Sequence, residues 1–143
     1  MRILLDTNIL ITYLSGREDP YSTECEKIVQ MCSDEAVEGV VAFHSLSTIW
    51  YLTRKAPENL RRGYIKQICV LFDIAGATNG SVLKAIENRE FRDFEDALQD
   101  CCAVETDCDY IITAKRHVSY LAFPGFFLYT HKVETLNKRG IYE

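Results

Sequence analysis

The sequence has 143 residues, 48% of them hydrophobic and 26% charged, a size and balance that fit one compact domain and exclude a disordered chain. A net charge of −5 sets it apart from the usual basic nucleic-acid binders, whose affinity rests on Lys and Arg contacts to phosphate. No apolar run approaches the ~20 residues of a membrane span, and Asp6 interrupts any secretory apolar core, so a cytoplasmic location without membrane contact is expected, with all six cysteines reduced.

Ile3-Leu4-Leu5 is a short apolar run of the kind found in buried parallel strands. Asn8 to Leu14 has helical spacing and stops near Ser15-Gly16. Asp19-Pro20 then opens a helix expected to run to Glu38 and end at Gly39. Val40 to Phe43 reads as a second buried strand, and Ser45 as the cap of a helix with Leu46, Ile49, Trp50 and Leu52 on its apolar face. Within that helix Trp50 is expected to pack and Tyr51 to sit toward the edge.

Pro57 begins another helix, with Leu60, Tyr64, Ile68 and Leu71. Ile74 to Thr78 reads as a third strand, and Asn79 or Ser81 starts a helix through Ile86. Glu95-Asp96 opens the helix Ala97 to Glu105, Tyr110 to Thr113 reads as a fourth strand, and Phe126 to Tyr129 as a fifth. Strands alternating with helices imply a mostly parallel sheet covered on both faces. There is no internal repeat or linker, so residues 1–143 are expected to form a single domain.

Ligands of such sheets bind at the carboxyl ends of the strands. The groups arriving there are Asp6-Thr7-Asn8, His44-Ser45 and Thr113-Ala114-Lys115, joined by Asp96 if its helix starts at the same edge. Asp6 has two readings of equal weight. It caps the helix at Asn8, as Asp often does, or it is a functional carboxylate at the mouth of a dry core, where an unpaired charge is costly. Asp93, Asp96 and Asp100 also divide between a helix start favoured by the macrodipole and oxygen ligands suited to Mg²⁺ or Mn²⁺. The basic clusters Arg54-Lys55, Arg61-Arg62 and Lys115-Arg116-His117 each read first as solvated surface. No Cys-x-x-Cys spacing and no Gly-x-Ser-x-Gly elbow occurs, which argues against zinc binding and against a serine hydrolase.

Leu4-Leu5-Asp6-Thr7-Asn8-Ile9-Leu10 resembles the opening of PIN domains. Asp93-Phe94-Glu95-Asp96-Ala97-Leu98-Gln99 and Cys108-Asp109-Tyr110-Ile111-Ile112-Thr113 resemble their third acidic block and the strand after it. Phe43 to Tyr51 is similar to the intervening helix of one bacterial branch. The resemblance spans nearly the whole chain and implies a three-layer α/β/α PIN-like fold, with a mostly parallel five-stranded sheet of order 3-2-1-4-5. It further implies a ribonuclease of the VapC-like toxin branch, with an RNA substrate, a cognate antitoxin protein and a homodimer.

Of the four acidic positions usual in that family, the first corresponds to Asp6 and the third to Asp96. The second falls at Thr48 and the fourth at Lys115, so the site is partly degenerate. The resemblance therefore implies a Mg²⁺ or Mn²⁺ cofactor held by Asp6 and Asp96. Asp93 supplements them, Asn8 and Thr113 orient ligands or substrate, and Lys115 and Arg116 grip RNA. The rival reading is a non-catalytic PIN-like domain that binds RNA or protein. A receiver domain lacks its acceptor Asp near residue 50, and a haloacid-dehalogenase-like phosphatase would need an Asp where Asn8 stands.

Overall fold

Alternating side chains of a buried strand face opposite sides of a sheet, and the central strands here carry apolar residues on both sides. In the computed structural model, which describes residues 1–16, 18–91 and 93–114 together with the backbone of 121–122 and 129–132, β1 (Arg2–Leu5) sits inside the sheet. It pairs in parallel with β2 (Glu38–Ala42) and with β4 (Tyr110–Thr113), and β2 pairs in parallel with β3 (Asp73–Ala75). β6 (Tyr129–Lys132) runs antiparallel to β4, and β5 (Leu121–Ala122) antiparallel to β6, giving the order β3-β2-β1-β4-β6-β5.

Two apolar clusters cover the two faces of this sheet. Ile3, Leu5, Val41 and Ile112 pack with Ile9 and Leu10 of α1 (Thr7–Ser15), with Cys25, Ile28 and Val29 of α2 (Ser22–Ser33), with Ile49 of α3 (Phe43–Leu52) and with Ile68 of α4 (Glu58–Leu71). Leu4, Val40, Ala42, Ala75 and Ile111 pack on the other face with Cys102 and Ala103 of α6 (Phe94–Glu105). Helix α5 (Asn79–Glu87) lies against α6. Burying each of these Leu and Ile side chains contributes roughly 1.5–3 kcal/mol, which makes the two clusters the main source of stability. All six cysteines are free. Among the described residues no helix is long and apolar enough to cross a membrane.

The α/β class, the parallel sheet and the order of its first four strands match the expectation; the strand count does not. Six strands form, because β5 is only two residues long and too short to leave a period in the sequence. The expected fifth strand meets β6 only at Tyr129, and residues 126–128 lie outside the described residues.

Helix α2 ends at Ser33 rather than Glu38, since Glu35 turns the chain with a left-handed φ of 58°. Gly39 lies within β2 and does not end a helix. A side chain there would stand 2.6 Å from the Phe72 ring and 2.9 Å from Cys32 Sγ. Phe43 leaves the strand to start α3, and Ser45 is buried in that helix rather than capping it. Trp50 is half-buried under Arg61, whose guanidinium lies 3.9 Å from the ring centroid, while Tyr51 is exposed.

The contact at Gly39 sets a first prediction. Gly39→Ala should lower the unfolding free energy by about 1–3 kcal/mol, the usual cost of overpacking. Chemical denaturation measures this, and an unchanged midpoint would show that Phe72 and Cys32 can move aside.

Candidate active site

Three strand-to-helix transitions open on one edge of the sheet. β1 leads through Asp6 into α1, β2 leads directly into α3, and β4 ends at Thr113. Asp6 occupies the N-cap position of α1 with extended φ and ψ, yet its side chain makes no capping hydrogen bond. The carboxylate turns across the sheet instead and is almost fully buried, at 4% exposure. Oδ1 accepts from Gln99 Nε2 at 2.8 Å, and Oδ2 accepts from Asn8 Nδ2 at 2.7 Å and from Thr113 Oγ1 at 2.6 Å. The Asp6 backbone N–H donates to Ile112 O at 2.9 Å, continuing the β1–β4 ladder into the site.

A second ring of contacts fixes these donors. Asn8 Oδ1 accepts from the Ala114 N–H at 3.1 Å, which orients its amide. Thr7 Oγ1 lies 2.8 Å from Ser45 Oγ, 3.3 Å from Glu95 Oε1 and 3.5 Å from Gln99 Nε2, joining α1, α3 and α6. Gln99 is buried, one turn after Glu95 on the same face of α6. His44, in the first turn of α3, is half-buried. Burial lowers the pKa of its imidazole, against the opposing pull of the Glu95 and Asp6 carboxylates. The ring is therefore neutral at pH 7.

The structure thus brings Asp6, Asn8 and Thr113 together. Asp93 is exposed and serves as the cap of α6, accepting from the Glu95 N–H at 2.9 Å. Asp96 is half-buried in the first turn of α6, three residues before Gln99. Thr48 Oγ1 turns back to His44 O at 3.4 Å. Lys115 and Arg116 lie outside the described residues.

Sequence reasoning gave no role to Gln99, Glu95 or the Thr7–Ser45 pair. Their signal was the spacing of Glu95, Asp96 and Gln99, which places all three on one side of a helix. A cleft of about 460 Å³ lined by Cys32, Glu38, Gly39, Phe72 and Asp73 lies beside β2 and β3 and shares no residue with this cluster.

An ionised carboxylate offers about four lone-pair directions. Three are taken at Asp6, both on Oδ2 and one on Oδ1, which leaves one on Oδ1. Among the described residues, no group of three or more His, Cys, Asp or Glu is set to hold a metal ion. The donor chemistry fits a hard dication such as Mg²⁺, which keeps several waters and takes only one or two protein carboxylates alongside substrate phosphate. It does not fit a cage built from protein alone.

The Asp6 network also makes a prediction about stability. Gln99→Leu should cost about 1–3 kcal/mol, because it leaves the buried Oδ1 without its donor. Denaturant unfolding near pH 7 tests this, and a variant as stable as wild type would mean that Gln99 does not hold the carboxylate.

Residues 2–117 match the PIN domain family. Among solved structures, the chain is similar to the crystal structure of VapBC2 from Rickettsia felis bound to a DNA fragment from their promoter. The TM-score is 0.54 at 15% identity, covering 76% of this chain and 84% of that one, a likeness of fold. No curated protein sequence matches the chain. The family match takes in β1 to β4 and every residue of the Asp6 network, and on it the chain belongs to the PIN-domain family.

Proposed function

We propose that this chain is a metal-dependent endoribonuclease resembling the toxin of a bacterial toxin–antitoxin pair. The observation that carries this reading is the buried Asp6 carboxylate, turned away from its cap position and held by Gln99, Asn8 and Thr113. A carboxylate buried at the strand ends and fixed by three uncharged donors is pre-organised for work on a ligand. The fold shared with a VapBC2 structure supports an antitoxin partner. A homodimer, a cytoplasmic location and a single domain over residues 1–143 complete the proposal.

In this reading Asp6 and Asp96 hold Mg²⁺ or Mn²⁺, with Asp93 as a supplementary acid. When bound, the metal polarises the scissile phosphate and acidifies water. Gln99, Asn8 and Thr113 keep the Asp6 carboxylate aimed, and the Thr7–Ser45 contact ties α3 to that frame. Lys115 and Arg116 meet the RNA backbone. Thr48 and Lys115 stand where the family usually carries acids, so turnover is slow.

A second reading, a non-catalytic PIN-like domain that binds RNA or protein, is favoured by the saturation of Oδ2 and by the missing third metal-binding group among the described residues.

Cleavage of RNA by the purified protein separates the two. Activity is expected with Mg²⁺ or Mn²⁺ and is lost in EDTA. Asp6→Asn and Asp96→Asn should each reduce the rate far beyond the 10- to 100-fold typical of residues that only support a ligand. Thr48→Glu combined with Lys115→Asp should tighten metal binding and raise the rate. Cleavage that persists in EDTA rules the mechanism out, and failure of the wild type to bind metal or cut RNA favours the binding domain.

A further inference from the structure

His44 brings a polar atom to the same edge that no contact in the frame uses. Its Nε2 is fully buried and has no hydrogen-bond partner. Buried polar atoms are nearly always paired, so one left over at a strand-end site marks the place of a ligand atom. The neighbouring groups cannot serve in its stead. Ser45 is committed to Thr7, and the Thr48 hydroxyl is turned back on its own helix, onto His44 O. His44 is therefore the side chain through which α3 reaches the site, one helical turn before the position where an acid is missing.

Resting on the ribonuclease reading above, we infer that His44 contacts the RNA backbone, with Nε2–H donating to a non-bridging oxygen of the phosphate bound beside Asp6. Two features select a phosphate over a metal ion as its partner. First, His44 lies in the first turn of α3, whose N-cap residue Ala42 supplies no side-chain cap, so the positive end of the helix faces the same space. Second, no trio of metal-binding side chains surrounds it among the described residues. A neutral donor here also eases the approach of a polyanion to Asp6 and Glu95, the two carboxylates that face the imidazole.

The test is the affinity for a fluorescent single-stranded 2′-O-methyl RNA, run alongside cleavage of the unmodified RNA. His44→Leu removes the donor, and His44→Asn holds its amide too close to the backbone to replace it. His44→Gln sets an N–H near the position of Nε2. Losing a hydrogen bond to a charged group predicts affinity about tenfold weaker for the Leu and Asn variants. The Gln variant should fall within about threefold of wild type, with unchanged circular dichroism for all three.

Wild-type affinity in both the Leu and Asn variants overturns the inference even if the wild-type protein cleaves RNA. A Gln variant as weak as the Leu variant also overturns it, because the ring's packing would then be what matters. Wild-type protein that neither binds nor cuts the RNA removes this inference together with the ribonuclease reading.

Discussion

A charged group buried at 4% exposure is tolerable only if its surroundings are built for it. Asp6 meets that condition through three uncharged donors drawn from α1, β4 and α6, elements that lie far apart in sequence. No cation neutralises it among these contacts. Satisfying Oδ1 and Oδ2 therefore fixes how α6 and β4 sit against β1. The pairing of β1 with β4 and the packing of α6 on the sheet meet the same geometric requirement from the apolar side.

Much of this order was legible in the sequence. Buried parallel strands carry apolar residues on both faces, and Ile3-Leu4-Leu5, Val40-Val41-Ala42 and Tyr110-Ile111-Ile112 stand out as continuous runs. Asp6 was conspicuous because it ends the first of them. Two readings of it were open on local grounds, because an N-cap and an inward-facing carboxylate share the same backbone conformation. Only contacts to residues more than 90 positions away distinguish them.

What stayed hidden was hidden for the same reason. Gln99 reads as an ordinary helical residue until α6 is laid on the sheet, and Ser45 reads as a cap until Thr7 is placed beside it. Gly39 looked like a helix stop because glycine so often is one. Its absent side chain in fact admits the Phe72 ring, a demand set by an element 33 residues downstream. Helix ends shifted wherever the turn lay outside the pattern, as at Glu35.

The outermost strands of the sheet have a separate consequence. β3 has three residues, starting at Asp73, and β5 has two. Edges this short offer almost no template for an added strand, and the acidic side chain at the start of β3 discourages one further. The Asp73 carboxylate is also engaged, accepting from Arg2 Nη2 at 2.8 Å. The fold thus guards against cross-strand aggregation and domain exchange through its described edges, and any peptide that joins this chain by extending its sheet would find little backbone to pair with.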